Sequence, residues 1–181
     1  MHARSRGGSG TTFTVFLPFP PVPKADEGDV QPHAEREVGS LAGRRVLLCE
    51  DNYLNAEIAT LVLREEGVIA DTAANGKIGV KTFTHAPADT YDAVLMDVRM
   101  PVMNGLDAAR AIRALSRRDA AEVPIIAMTA NAYEEDIREC KAAGMNAHLA
   151  KPIDTKLMLA TLARCIHERE ARSQSNEMKS R

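Results

Sequence analysis

Five polar residues are of the right types to do chemistry together: Glu50, Asp51, Asp97, Thr129 and Lys151. Three are acids, one carries a hydroxyl and one an ammonium. Carboxylates brought close repel one another, and something must neutralise them. A hard divalent cation is the natural answer. Magnesium takes oxygen ligands, keeps several waters, and is commonly held by one or two carboxylates plus a phosphate oxygen. Such a site suits phosphoryl transfer. A carboxylate such as Asp97 can act as a nucleophile and form an acyl-phosphate. The Thr129 hydroxyl can donate to a phosphoryl oxygen. Lys151 can pair with a carboxylate or a phosphoryl oxygen as a point charge. Each residue taken alone has a plain structural role: Glu50 and Asp51 as charge favourable to a helix N-terminus, Asp97 as a strand terminator, Thr129 as a turn residue, Lys151 as a solvated strand end. Their joint placement decides for chemistry.

That placement depends on the elements between them. Residues 91–105 read YDAVLMDVRMPVMNG. Ala93, Val94, Leu95 and Met96 form an apolar run with no helical period, the mark of a strand buried on both faces. The run ends in Asp97, and Pro101 and Gly105 break the chain before a helix begins. From Arg44 onward the same alternation repeats. Strands are expected over 46–49, 68–72, 92–96, 123–128 and 147–149, with Pro124 at a strand entry where a lost N–H is tolerable. Helices are expected over 52–66, 76–83, 106–115, 132–143 and 155–169. Asn52 suits a cap and Gly67 a stop, and Gly144 ends the fourth helix. Leu54, Ile58, Leu61 and Val62 supply the apolar positions of the first helix; Ile78 and Phe83 are inward candidates in the second. Five strands alternating with five helices imply an α/β fold: a doubly wound, five-stranded parallel sheet, flavodoxin-like in order 2-1-3-4-5, with helices on both faces. The switch point lies between the first and third strands. Glu50, Asp51 and Asp97 should meet there, at the carboxyl ends of the strands, where ligands collect.

The 181 residues suit one domain plus appendages, and a hydrophobic content of 45% allows a proper core. Aromatics are 4% and Trp is absent, so that core should be aliphatic. A net charge of -2 with no basic stripe argues against a nucleic-acid surface. Cys49, Cys140 and Cys165 are odd in number and widely spaced, which disfavours a disulfide framework or a zinc site and fits a reducing, cytoplasmic setting. No apolar run approaches the roughly 18 residues of a membrane span, and no secretory h-region is present. The chain itself is expected to make no membrane contact, while a larger parent is free to be membrane-anchored.

Around the domain, residues 1–17 contain Gly7, Gly8, Ser9 and Gly10 followed by TTFTVFLPF. A strand is expected over 11–17, with no evident partner nearby. Residues 18–43, with Pro18, Pro20, Pro21, Pro23 and Pro32 and then many charges, read as a semi-rigid linker. The domain is placed at 44–168, and a polar tail at 169–181 is expected to fray from 171 onward.

Residues 44–166 resemble the receiver domain of two-component response regulators. The matching pieces are Glu50 and Asp51 after the first strand, MDVRMPVMNG around Asp97, Thr129 with Ala130, and Lys151 with Pro152. The resemblance implies that Asp97 is the phosphoacceptor. It implies that Asp51, Asp97 and the backbone carbonyl of Arg99 ligate magnesium directly, with Glu50 acting through water. Thr129 and Lys151 would hold the phosphoryl group and report it. The donor would be a phosphohistidine, on a histidine kinase core or a histidine phosphotransfer protein. The domain would catalyse its own phosphotransfer and a slow dephosphorylation. The switching surface would be the fourth helix, fifth strand and fifth helix. His148 occupies a slot that is often aromatic in the family and would act with Thr129 in the switch. Arg99 and Asn131, two positions beyond Asp97 and Thr129, would tune the access of water.

Glu50, Asp51 and Asn52 with Asn55 resemble the receivers of hybrid sensor kinases. GGSGTTFTVFLPF resembles the closing glycine box and final strand of a histidine-kinase ATPase domain. Together they imply the C-terminal piece of a hybrid sensor histidine kinase. The donor histidine, the dimerisation helices and the main ATP boxes are absent from these residues, and His167 with Glu168 reads as surface, so the chain is not expected to make phosphohistidine itself. A free-standing regulator is the alternative within the family. An aspartyl-nucleophile phosphohydrolase is another, although that chemistry wants a second acid where Arg99 stands. A third is an interaction module that takes no phosphate.

Overall fold

Successive residues of a strand face opposite sides of its sheet, and the central strands of this chain use both sides for core. The structure, a computed structural model, describes residues 2–6, 10–14, 40–130 and 133–179. The chain divides into two units, 1–36 and 37–181. In the first, β1 (His2–Arg6) and β2 (Gly10–Thr14) pair antiparallel, His2 opposite Thr14 and Arg6 opposite Gly10. The strand expected over 11–17 therefore begins one residue earlier and has its partner immediately upstream. HARSR carries one alanine among polar and charged residues, so no hydrophobic alternation marked it. Residues 15–17 and the expected linker over 18–39 lie outside the described residues.

The second unit runs β3 (Arg45–Cys49), α1 (Tyr53–Glu65), β4 (Ile69–Ala73), α2 (Gly76–His85), β5 (Ala93–Asp97), α3 (Gly105–Arg113), α4 (Arg118–Glu122), β6 (Ile125–Thr129), α5 (Glu134–Ala142), β7 (Ala147–Ala150) and α6 (Thr155–Lys179). The strands form one parallel sheet in the order β4-β3-β5-β6-β7, which is the order 2-1-3-4-5. One apolar cluster takes Leu47, Cys49, Val94, Met96, Ile125 and Ala127 from the strands and packs them on Phe83 of α2, Ile112 of α3 and Cys140 of α5. The other takes Val46, Leu48, Ala93, Leu95, Ile126 and Met128 and packs them on Leu63 of α1 and on Met158, Leu162 and Ile166 of α6. Alternation along three strands thus divides the core between two faces. Each fully buried Leu, Ile or Met contributes about 2 kcal/mol.

The helices depart from expectation in three ways. Leu54, Ile58 and Leu61 are exposed, and α1 is anchored instead by the buried Ala59 and Leu63; Ile78 of α2 is exposed likewise. A short helix, α4, occupies part of the connection expected to be plain chain. It is secured by Arg117, whose guanidinium donates to the carbonyls of Phe83, Ala86 and Pro87 and to the Asp119 carboxylate. Finally, α6 continues through Lys179, across the tail expected to fray. Arg169 donates to the Tyr91 carbonyl and to Asp89, and Glu170 pairs with Arg44. These ties hold the helix past the point where its apolar pattern stops.

Among the described residues Gly76, Gly79 and Gly105 leave no room for a Cβ, and Gly105 is the tightest. The turn after β5 is closed by the Arg99 amide donating to Asp97 Oδ1 at 3.0 Å and the Gly105 amide donating to the Val98 carbonyl at 3.0 Å. A Cβ on Gly105 would collide with the backbone carbonyl of Asp97. Backbone cannot step aside as a flexible side chain can. Gly105→Ala should cost about 3 kcal/mol in urea unfolding; a variant within about 0.5 kcal/mol of its parent would show that the turn opens freely.

Candidate functional site

The carboxyl ends of four parallel strands deliver the predicted residues to one notch. Glu50 and Asp51 follow β3, Asp97 ends β5, Thr129 ends β6, and Lys151 follows β7. Backbone bonds fix each exit. The Glu50 amide donates to the Ala73 carbonyl at 3.0 Å, the Val98 amide to the Met128 carbonyl at 3.0 Å, and the Lys151 amide to the Thr129 carbonyl at 2.7 Å. Sheet register sets Asp97 beside Met128 and Thr129 beside Ala150. On the far side of the acids, Asn52 caps α1 by accepting from the Asn55 amide at 3.1 Å.

Ligand atoms of Glu50, Asp51 and Asp97 lie within 4.8 Å of one another. Glu50 and Asp97 are buried, whereas Asp51 is exposed. Lys151 Nζ reaches both buried acids, at 2.7 Å to Asp97 Oδ2 and 2.7 Å to Glu50 Oε2. Three carboxylates against one ammonium leave the notch net acidic. All-oxygen donors at this spacing fit a small hard cation, and magnesium suits them.

The electrostatics of the pair follow from burial and contact. Burial pushes the Asp97 carboxyl above the usual carboxylate range; the hydrogen bonds from Lys151 and the Arg99 amide pull it part of the way back, and the nearby Glu50 charge pushes it up again. Burial also opposes the charge on Lys151, but the hydrogen bonds to Asp97 and Glu50 together outweigh it, so the ammonium holds its proton beyond the usual lysine range.

Thr129 is buried beside these groups. Arg99 is exposed, and its amide already serves Asp97 Oδ1. His148 lies on β7 with its side chain exposed, lining a groove with Ile137, Cys140 and Lys141 of α5. Asn131 lies outside the described residues. A further participant is Asn55, whose side-chain amide donates to Glu50 Oε1 at 3.1 Å. Its signal was an amide one turn into the helix that follows the acids, three residues after the cap.

A family profile described as the response regulator receiver domain matches residues 46–163. Histidine kinase 5 of Arabidopsis thaliana is 34% identical over 158 residues, covering 74% of this chain and 17% of that protein. Hybrid signal transduction histidine kinase B of Dictyostelium discoideum is 38% identical over 124 residues, 64% of this chain and 6% of that protein. The chain thus spans a small part of the curated relatives it matches. Among solved structures, the receiver domain of sensor histidine kinase PA1611 from Pseudomonas aeruginosa, described with a magnesium ion coordinated in its active site cleft, is 40% identical. It covers 70% of this chain and 99% of its own, with a TM-score of 0.63. Chemotaxis protein CheY4 of Vibrio cholerae is 30% identical, with a TM-score of 0.62, covering 67% of this chain and 98% of its own.

Asp97 holds a proton more tightly folded than unfolded. Below the unfolded carboxylate value of about 3.9 both states are protonated and stability is unaffected. Above it the unfolded chain ionises first, so metal-free stability falls as pH rises until the folded group ionises too. Lys151 acts at the alkaline end: its contribution is full below about 10.4 and is lost as pH climbs through its raised value. In the presence of a chelator at neutral pH, Asp97→Asn should therefore unfold at higher denaturant than the parent, and the gap should close as pH falls towards about 4. Magnesium should raise the parent's midpoint and move that of Asp97→Asn much less. Equal midpoints without metal at neutral pH would contradict the burial argument.

Proposed function

This chain belongs to the response regulator receiver domain family, and from that premise we propose that Asp97 accepts a phosphoryl group from a phosphohistidine. The reading rests on one observation: Asp97 is buried at the switch point of the sheet, beside two other acids and within 2.7 Å of an ammonium. In the transfer the P–N bond of the donor breaks, a P–O bond to a carboxylate oxygen of Asp97 forms, and the imidazole keeps the electron pair. Asp51, Asp97 and the Arg99 carbonyl are the proposed direct ligands of magnesium, with Glu50 acting through water. When bound, the ion supplies positive charge against the incoming phosphoryl oxygens. This chain's own residues do the rest. The Arg99 amide orients Asp97, Lys151 offers its charge to the phosphoryl oxygens, and the Thr129 hydroxyl turns to donate to one of them. That turn would pull the loop before α5, and with His148 it would alter the face made by α5, β7 and α6, a population shift between two states of the domain. Arg99 and Asn131 would govern how water reaches the acyl-phosphate.

The parent is proposed to be a hybrid sensor histidine kinase, with residues 1–17 the end of its ATPase domain and 18–43 the linker. The antiparallel pairing of β1 with β2 supports an ATPase-type sheet end, and the curated relatives above are kinases. Tyr53, Leu54, Ile58 and Leu61 of α1 are exposed, as is Leu157 of α6. Leu54 and Ile58 stand one helical turn apart, on the helix whose first turn adjoins the acids. An apolar strip in that place suits a helical donor that must bring its phosphohistidine to Asp97.

Two variants separate chemistry from docking. Asp97→Asn should lose magnesium-dependent labelling both from a phosphorylated histidine phosphotransfer domain and from acetyl phosphate; labelling at the parental rate would remove Asp97 as the acceptor. Ile58→Glu should slow transfer from the protein donor by about tenfold while leaving the acetyl phosphate rate within about twofold. Equal slowing with both donors would move the strip from docking to folding. No helix among the described residues is long and apolar enough to cross a membrane.

A further inference from the structure

Glu50 is a long, flexible side chain buried beside two other acids, and something must hold its carboxylate still. Fixing such a side chain costs about 1.5–2 kcal/mol of rotamer entropy. Lys151 occupies Oε2 at 2.7 Å. The other oxygen, Oε1, is met by the Asn55 side-chain amide at 3.1 Å and, at a longer 3.4 Å, by the Asn52 backbone amide. Asn55 is itself secured, because its backbone amide is engaged by the Asn52 cap. Its side chain is exposed and has the first turn of a helix as its base. Beside it, a cavity of 220 Å³ between α1 and α6 is lined by Asn55, Ile58, Val62, Lys151, Ile153 and Met158. Thr155 also lines it, and the other lining groups are apolar; the side chains that donate to the Glu50 carboxylate are those of Lys151 and Asn55.

Taking the proposed function as its footing, we infer that Asn55 is a positioning residue: it clamps Glu50 from the α1 side so that this carboxylate faces Lys151 and the cation's water shell together. A primary amide can do this because it donates. Alanine lacks the group altogether. The carboxylate has about four lone-pair sites, so the bonds from Lys151, Asn55 and the Asn52 amide leave about one for a cation-bound water. The clamp also divides the acids by task. Asp51 and Asp97 are left to touch the ion directly, and Glu50 holds the lysine and the outer shell. Outer partners of metal ligands are worth about ten- to a hundredfold in affinity where they have been removed.

The test is a double-mutant cycle on magnesium affinity, measured by calorimetry on the intact chain with no phosphodonor present. Asn55→Ala should weaken magnesium binding about tenfold when Glu50 is present. In a Glu50→Gln background the same substitution should change affinity by less than about twofold, because the group it acts through has lost its charge. Asn55→Gln, which keeps the donor, should recover binding to within about threefold of the parent. Unchanged affinity in Asn55→Ala overturns the inference. So does an equal loss in both backgrounds, which would make Asn55 a packing residue. Labelling of the parent by acetyl phosphate reads the underlying function separately: a parent that binds magnesium but takes no phosphate sinks the phosphoacceptor reading, while the cycle still decides the role of Asn55.

Discussion

One ammonium closes this domain's carboxyl edge. Lys151 is 101 residues from Glu50 and 54 from Asp97 along the chain, and Nζ sits 2.7 Å from a carboxylate oxygen of each. Burying two acids side by side without such a partner would be costly, since each charge would lose water and gain only repulsion. The contact therefore fixes more than a lysine rotamer. It requires β7 to lie where its exit faces those of β3 and β5, and so it depends on the strand order itself. The order in turn depends on alternation along β3, β5 and β6, which sends Leu47, Val94 and Ile125 to one cluster and Leu48, Leu95 and Ile126 to the other.

Most of this was legible in the chain because the signals were local and repeated. Runs such as AVLM before Asp97 read as buried strands, and the repeated alternation of strand and helix fixed topology. The acids, the threonine and the lysine could be placed together because each followed a strand, so that knowing the sheet meant knowing the notch. What escaped was whatever depended on neighbours far along the chain. Leu54, Ile58 and Leu61 formed a regular helical pattern, yet they sit outside the core, because Ala59 and Leu63 are the residues that meet the sheet. Periodicity identifies a helix, but it does not say which face finds a partner. The strand His2–Arg6 was invisible for the opposite reason: its pairing with Gly10–Thr14 comes from backbone hydrogen bonds, and its composition is polar.

The turn after Asp97 shows how closely local geometry and chemistry are joined. Gly105 must lack a side chain so that the chain can pass the Asp97 carbonyl. Val102 in the same turn has φ of 70°, a region a β-branched residue rarely enters. Its side chain points to solvent, 78% exposed, so no buried contact compensates for that conformation. The strain is borne by the hydrogen bonds that close the turn around it, including the one from the Arg99 amide that aims Asp97. A backbone held this way costs on the order of 1–3 kcal/mol, and it occurs beside the carboxylate whose direction matters most.

The long final helix joins two distant rims of the sheet. It starts at Thr155, just after the Lys151 loop, and its Arg169 and Glu170 are fastened to Tyr91, Asp89 and Arg44 at the amino-end rim. The stretch between is a rod of roughly 22 Å at the rise of an α-helix. A rod that does not stretch cannot conceal a push at one end. If the lysine loop shifts, the displacement must emerge as a tilt of the rod or as slack in those arginine fastenings, on the side of the domain away from the three acids.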